Sequence, residues 1–504
     1  MERVVPRQAL YDSSVPLAIE SKSQRRIFYP ESAGPFGPIS STNPNTCRIP
    51  INADSLLDTQ RSYLQFQVNN LTTGSGIGAD IGNPYIKRLR VESGGVVLED
   101  LTEYHKLVNS VLLPIQSSNA HRNSQSLTEM DACYSGTLNG TDGASANGLG
   151  ANGEISSAQG LTFPNPEHGD QVAIGVSSSG IHAGSGTKTF NVPIVSGLFN
   201  LKQYLPLVLM SAGLTLVLEF ADANEVGVSN ASTGATPPVN APIDLNWSIS
   251  NVRYFAHLID LQRDFYDRLR MVQEASGGVV QLPSQTYRHF SQLHNLTATA
   301  GVMPSQNLST NIPARVKSIK SIFFTMRSTD TTANDSYSIS CSQSAGLERF
   351  QFRIGAVVYP PTAVEYNNAN QGEAYNELRK AWATMGDYHE GGALVNGRTY
   401  GMPYGADLVH CGVGGKVPTT QPVYGSPLAS IPTLTMTPFG LDFEAFHSAS
   451  QLENGVNNAD RSLPITLETS HRFTQIQSAS AFAGGNFQFD IWVLCDAIFY
   501  VNMD

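Results

Sequence analysis

The sequence predicts an all-β protein made of two tandem domains that share one fold. Three observations indicate this: the composition, the many short runs of alternating hydrophobicity, and an order of elements that occurs twice. The 504 residues exceed what one hydrophobic core commonly organises and suit two domains of about 250 residues each. Charged residues make up only 14%, against roughly 25% in typical soluble domains. With 44 Gly and 28 Pro, this favours short strands joined by polar loops over a helical bundle.

The strands are predicted from the two-residue period of their hydrophobic side chains. In the segment 63–68, Leu64, Phe66 and Val68 fall on one face and two glutamines on the other. Similar β-rich runs occur at 85–98, 187–195, 213–221, 247–261, 316–327, 348–359, 436–446, 463–469 and 487–502.

Three short helices are predicted between these runs. Asp100 is a plausible N-cap for a helix over 100–113, because Glu103 follows it by three residues. A second helix begins at Asp264 and ends before Gly277, with Phe265, Leu269 and Val272 on its apolar side. The third covers 372–382, where Tyr375, Leu378 and Trp382 align.

Four pairs of segments match between the two halves in the same order. They are 62–66 with 320–324, 89–97 with 352–358, 214–219 with 463–468, and 247–261 with 487–502. Repetition of this kind indicates a duplicated domain. A domain of this length with about eight strands fits a β-sandwich or a jelly roll.

We therefore predict two tandem jelly rolls, each an eight-stranded antiparallel β-sandwich, with a few short helices and long loop insertions. The expected divisions are an N-terminal arm at 1–40, a first jelly roll at 41–262, a helix and linker at 263–285, and a second jelly roll at 286–504. The long loop insertions are expected at 115–186 and 385–435.

Charge and cysteine content limit the partners. The net charge of −11 argues against specific nucleic-acid binding. Residues 1–27 are mildly basic, with Arg3, Arg7, Lys22, Arg25 and Arg26, and an ordinary solvated tail explains them most simply. The five cysteines contain no C-x-x-C pair, so reduced thiols are expected. No signal peptide and no transmembrane segment are predicted.

Glycine-rich motifs do not indicate a cofactor. The segment 148–153 matches G-x-G-x-x-G by letter, but it lacks the preceding strand and following helix that a dinucleotide site requires. The segment 184–189 resembles a phosphate loop, yet Thr187 stands where Gly must precede Lys188, and a strand follows.

Catalytic and metal constellations are equally weak. The closest histidines, His289 and His294, are five residues apart, so the H-x-H pair typical of metal cupins is missing. Asp442 and Glu444 could point the same way as a glycosidase pair does, but charges on an edge strand explain them more simply. The adjacent His410 and Cys411 indicate no nucleophile. We predict no catalytic, cofactor-binding or metal-binding residue, and no enzymatic activity.

One segment resembles a known family. Residues 41–50, followed by Leu57, Asp58 and the strand at 62–69, are similar to the start of the first jelly roll in double jelly-roll major capsid proteins of double-stranded DNA viruses. The block 86–99 and the helix after it resemble the next elements of that family. Capsid proteins of polinton-like viruses and virophages are the most similar, and those of giant viruses are more distant.

The resemblance implies a structural protein of the virion. Three copies would form a pseudo-hexameric capsomer of an icosahedral capsid, assembled in the host cytoplasm or nucleus. Neighbouring capsomers, penton proteins and minor capsid (cement) proteins would be the partners, and the N-terminal arm would lie on the inner side. A lectin-like or receptor-binding β-sandwich of a virion fibre or spike is the alternative, and a carbohydrate-active enzyme a weaker one.

Overall fold

The structure is a computed structural model. It describes residues 20–38, 42–71, 76–78, 85–112, 115, 176–177, 180–181, 187–201, 203–210, 212–225, 228–230, 247–297, 303–329, 342, 344–366, 370, 372–382, 437–445, 454–460, 463–473 and 484–502. Most of the insertion predicted at 115–186, and all of the one at 385–435, lies outside these residues. No helix in the described ranges is long and apolar enough to span a bilayer.

Two antiparallel sheets form the first sandwich. One sheet contains β1 (Ser21–Phe28), β3 (Leu56–Asn70), β9 (Thr187–Val192), β10 (Leu205–Pro206) and β13 (Trp247–Leu261). The other contains β2 (Thr46–Ile51), β5 (Ile86–Ser93), β6 (Val96–Leu101) and β11 (Leu214–Phe220). Short pairs lie outside both sheets: β4 (Gly76–Gly78) with β12 (Val228–Asn230), and β7 (Val176–Ser177) with β8 (Gly180–Ile181).

The second sandwich has the same plan. Its first sheet contains β14 (Val279–Thr297), β16 (Ile319–Ser328), β19 (Phe439–Asp442) and β21 (Gly484–Asn502). Its second sheet contains β15 (Met303–Ile312), β17 (Leu347–Ile354), β18 (Val357–Glu365) and β20 (Ile465–Phe473).

The spatial order of the strands is the same in both sandwiches. The order β1-β13-β3-β10, with β9 also on β3, corresponds to β14-β21-β16-β19, and β2-β11-β5-β6 corresponds to β15-β20-β17-β18. In each sandwich the first sheet strand pairs with the last and the second with the last but one, which is jelly-roll topology. The predicted all-β fold with two tandem jelly rolls is therefore confirmed, and each of the four repeated sequence segments falls on equivalent strands.

Each sandwich has an aromatic core between its sheets. In the first, Phe66 stacks on Phe190 and Tyr85 lies edge-on to Trp247. In the second, Phe324 stacks on Phe439 with ring centroids 5.1 Å apart. Burying such a side chain stabilises the fold by roughly 1.5–3 kcal/mol, so the alternating apolar residues of β3 and β16 hold the sheets face to face.

The three predicted helices exist, with changes at their ends. The first, α1, is one α-turn (Tyr104–Lys106) that continues as a π-helix (Leu107–Leu112). Asp100 is not its N-cap, because it lies in β6 and its carboxylate binds Arg88. The helix α2 covers Arg263–Ala275, and α3 covers Gly372–Ala381. Val272 of α2 is 58% exposed, so the expected burial of its apolar side is wrong there.

Two predicted divisions differ from the strand bounds. The range assigned to an N-terminal arm includes β1, which pairs with β13 along its whole length. The arm prediction therefore fails for residues 21–28, and Lys22, Arg25 and Arg26 belong to a strand, not a solvated tail. The predicted linker to residue 285 also ends too late, since β14 begins at Val279.

Candidate functional site at the seam between the two sandwiches

The motifs weighed in the sequence do not form a site among the described residues. Residues 148–153, His410 and Cys411 lie outside those residues. Of the segment 184–189, residues 187–189 are in β9, as the strand interpretation predicts.

The histidine and carboxylate pairs are engaged separately. His289 Nε2 lies 2.9 Å from Asp490 Oδ1, whereas His294 Nε2 lies 2.7 Å from Thr310 Oγ1. Glu444 is not an exposed edge charge, because its Oε1 is 2.5 Å from the buried Lys320 Nζ. Asp442 accepts a hydrogen bond from the Glu444 backbone N–H, so the two do not face a substrate together.

Buried thiols give no reactive group either. Burial raises the pKa of Cys47 to about 12 and that of Cys495 to about 11. Both are free and buried, so at neutral pH they are protonated and inert.

The contacts that link the two sandwiches, here called the seam, centre on the buried carboxylate of Glu99 in β6. It accepts hydrogen bonds from the backbone N–H groups of Gly197 (2.9 Å) and Leu198 (3.3 Å) and from the Ser196 hydroxyl. From the second sandwich, Thr286 Oγ1 donates to it at 2.6 Å. A carboxylate with four donors is satisfied despite burial, so Glu99 joins the sandwiches at small desolvation cost.

Gly197 allows the two backbones to touch. A Cβ at this position would lie 2.3 Å from the carbonyl oxygen of Gln285 in β14. The Ser284 hydroxyl donates to the Gly197 carbonyl at 2.5 Å. β14 can therefore approach the loop after β9 only because Gly197 has no side chain.

A second part of the seam is charged. Lys106 of α1 lies with its Nζ 3.8 Å from Asp490 Oδ2 in β21, and the Asp490 side chain is almost fully buried. Burial by itself favours the neutral acid. Lys106 and the His289 hydrogen bond outweigh this effect, so the pKa of Asp490 lies well below its usual range. Nearby, Arg327 donates to the Ser110 hydroxyl of the π-helix at 3.2 Å.

The helix α2 connects the sandwiches and is fixed at its end. Gln273, 1% exposed, donates to the Gly278 and Val501 carbonyls. Gly277 and Gly278 follow with φ of 75° and 84°, the left-handed region that favours glycine. The chain therefore leaves α2 at a defined angle and enters β14.

The seam uses one outer sheet face of the second sandwich, and the equivalent face of the first sandwich is open. Trp492 pairs with Phe323 in the second sandwich, where both are fully buried. The equivalent pair in the first sandwich is Arg253 with Gln65, both only half-buried. The two sandwiches therefore share a topology but differ in which outer face is covered.

We call the outer face of β1, β3 and β13 the open face. It carries cationic groups: the Arg25 guanidinium lies 4.1 Å from the centroid of the Phe255 ring, and the Arg61 side chain, 74% exposed, lies 3.6 Å from the Asp58 carboxylate. His257 lies on the same face, paired with Arg25. A cationic, half-buried sheet face of this kind can accept a partner that carries acidic and aromatic groups.

Comparison with known proteins shows the fold. No protein-family model matches the sequence, and no curated protein matches it. Among solved structures, it is similar to a chain of the Sputnik virophage structure determined by cryo-EM (12% identity, TM-score 0.54, covering 100% of this chain and 91% of that one). It is also similar to the Faustovirus major capsid protein (10%, 0.53, 98% and 93%) and the mavirus major capsid protein (10%, 0.51, 99% and 92%).

The chain is a double jelly-roll protein. The coverage extends over both sandwiches, so the similarity concerns the tandem arrangement and not a single jelly roll. At about a tenth of identical residues, the similarity shows the shared fold alone.

Sequence reasoning missed the seam residues. Glu99, Gly197 and Asp490 carry no local motif, since each acts on a partner distant in the chain. The one available signal was Asp490 within the apolar run 487–502, because a charge at such a position needs a buried partner.

Proposed function

We propose that this chain is the major capsid protein of a double-stranded DNA virus and that it forms trimeric, pseudo-hexameric capsomers of an icosahedral shell. The observation that carries the proposal is the duplicated fold in which one outer sheet face is covered within the chain and its counterpart is open. The similar Faustovirus and mavirus structures are themselves major capsid proteins. No catalytic activity is proposed.

The seam supplies the geometry of association. Within a chain, β6 and α1 of the first sandwich cover one part of the outer face of β14, β16 and β21. Trp382, directly after α3, covers another part by stacking on Phe323. On the second sandwich the equivalent side is formed by β18 and α3, and β18 carries exposed residues such as Val357 and Glu365. If this side covers the open face of a second copy, the contact is head-to-tail, and three chains close a ring of six sandwiches.

In an association of this kind, polar and charged groups fix how the two surfaces align. In the seam, Glu99, Lys106 and Asp490 are paired or hydrogen-bonded across the boundary. The basic side chains on the open face would play the corresponding part between copies, where acidic groups of α3, such as Glu373, can approach. The association depends on these charges being intact.

The remaining partners follow from a shell. Neighbouring capsomers, penton proteins and minor capsid proteins would bind the trimer, and residues 1–19 would serve as the arm on the inner side. We assign the first domain to residues 20–261 and the second to residues 279–504, with α2 as the connection. The protein would reside in the virion after assembly in the host cytoplasm or nucleus.

The test is the mass of the purified full-length protein by light scattering after gel filtration. The wild type is expected as a trimer of the 54.3 kDa chain. Arg61→Glu places a negative charge on the open face and is expected to weaken the trimer at least tenfold. Lys317→Glu, at an exposed position outside both faces, is the matched control and should remain trimeric.

Two results would overturn the proposal. A wild type that stays monomeric at high concentration contradicts the capsomer. An Arg61→Glu protein that is as trimeric as Lys317→Glu contradicts the assignment of the open face.

A further inference from the structure

One cluster of metal-ligating side chains lies beside the seam. Glu103 precedes α1, His105 is in it, and Glu225 belongs to the 3₁₀ turn Ala223–Glu225 after β11. One ligand atom from each side chain lies within 4.8 Å of the other two. His105 Nε2 is 3.6 Å from Glu225 Oε2 and 4.0 Å from Glu103 Oε2.

The imidazole of His105 is the independent observation that points to a ligand. It is fully buried, and neither ring nitrogen has a hydrogen-bond partner among the described residues. The gap of 3.6 Å to Glu225 is too long for a hydrogen bond. Burying an imidazole whose ring nitrogens make no hydrogen bond is unfavourable, so a histidine in this state between two carboxylates calls for a group that binds it.

The distances fit a bound ion. Zinc binds imidazole nitrogen at about 2.0–2.1 Å and carboxylate oxygen at about 2.0–2.2 Å, so two ligands of one ion stand about 3.4–4 Å apart. Both measured separations fall at or near this range. One imidazole with two carboxylates suits zinc and similar transition metals better than calcium or magnesium, which prefer oxygen ligands only.

Two lysines now hold the carboxylates, and each has another partner. Lys87 Nζ lies 3.0 Å from Glu225 but also 2.8 Å from Asp222. Lys106 Nζ lies 2.7 Å from Glu103 but also 3.8 Å from Asp490. Each ammonium group can therefore remain paired when its glutamate turns to an ion.

We propose that Glu103, His105 and Glu225 bind one divalent transition-metal ion of the zinc type, with water completing the coordination. Binding releases Lys106 from Glu103 and leaves Asp490 of the second sandwich as its partner. The ion then strengthens the seam without touching the second sandwich.

The experiment uses the full-length protein, treated with EDTA and freed of it by gel filtration. Isothermal titration with ZnCl₂ measures stoichiometry and affinity, MgCl₂ is the comparison ion, and the visible spectrum with Co²⁺ reports the coordination. Glu225→Gln and Glu103→Gln remove one ligand each with little change of shape. Glu219→Gln is the matched control, because Glu219 is a half-buried carboxylate of the same sandwich that pairs with Arg88 and Arg90.

The wild type and Glu219→Gln are expected to bind one Zn²⁺ per chain, and neither should bind Mg²⁺ with comparable affinity. Glu225→Gln and Glu103→Gln should each bind at least tenfold more weakly and lose the Co²⁺ absorption. Zinc binding by both glutamate variants that equals the wild type, which would place the ion on other histidines, overturns the proposal. So does a wild type that binds no zinc.

Discussion

Replacing Gly197 by alanine tests whether the two sandwiches depend on direct backbone contact. The new Cβ would lie 2.3 Å from the Gln285 carbonyl oxygen and 3.1 Å from both Glu99 Oε1 and Ser284 Oγ. The nearest obstacle is backbone, which cannot rotate away, so β14 must retreat by about 1 Å to reach ordinary contact.

The cost follows from what that retreat breaks. Overpacking of a well-packed site costs about 1–3 kcal/mol. The retreat also lengthens the 2.5 Å hydrogen bond from Ser284 to the Gly197 carbonyl and the 2.6 Å hydrogen bond from Thr286 to Glu99. The second has a charged acceptor, and such a hydrogen bond contributes about 1.5–3 kcal/mol. We expect a loss of about 2–4 kcal/mol in the free energy of unfolding. For sandwiches of this size it lowers the Tm by roughly 4–16 °C.

Differential scanning calorimetry of the purified Gly197→Ala protein measures this shift. Gly372→Ala is the control, since nothing lies within 4 Å of a Cβ there and φ is not positive. A Gly197→Ala protein whose Tm stays within about 2 °C of the control would refute the account of the seam, because the stated loss corresponds to a larger shift.

Two further predictions concern buried polar groups. Glu99→Gln removes the charge that accepts hydrogen bonds from Gly197 and Thr286, and its amide must turn an N–H toward one of these donors, so the Tm should fall by several degrees. Glu468→Gln, whose partners lie on the surface, should change the Tm little. Equal Tm shifts in the two variants would contradict the burial argument. His471 is fully buried, with Nδ1 donating to the Ala345 carbonyl, and burial lowers its pKa to about 4. Since the unfolded chain takes up this proton near pH 6.5, the free energy of unfolding should fall by up to about 3 kcal/mol between pH 6.5 and 4. Urea titrations at several pH values across that range give the free energy of unfolding, which should depend less steeply on pH for His471→Gln than for the wild type. An equal pH dependence would rule out His471 as the cause.

The sequence predicts the central strands well but misses several edge strands. β3, β11, β13, β16 and β21 were all expected, because strands with two neighbours alternate or are continuously apolar. β1, β14 and β15 were not. Each is an edge strand, and its half-solvated residues, such as those of Ser21–Phe28, need no hydrophobic period.

The candidate sites were harder to predict, because residues far apart in the sequence form them. The strand that the sequence predicts after the phosphate-loop-like segment is present as β9, which begins at Thr187. The cluster of Glu103, His105 and Glu225 could not be predicted, since about half of the first sandwich separates Glu225 from the other two in the chain. The equivalence of the halves was visible in the sequence, but which outer face is covered depends on packing alone.

Because α2 joins the two sandwiches, contacts like those of the seam depend on protein concentration differently within one chain and between separate chains. The helix has 13 residues and spans about 20 Å. Two surfaces joined by so short a connection meet at an effective concentration in the millimolar range or above. The same surfaces on separate chains meet only at the bulk concentration of the protein. The hydrogen bonds and ion pairs of the seam therefore form first within each chain, in a folding step whose rate does not depend on protein concentration. Assembly of separate chains follows, at a rate that rises with concentration.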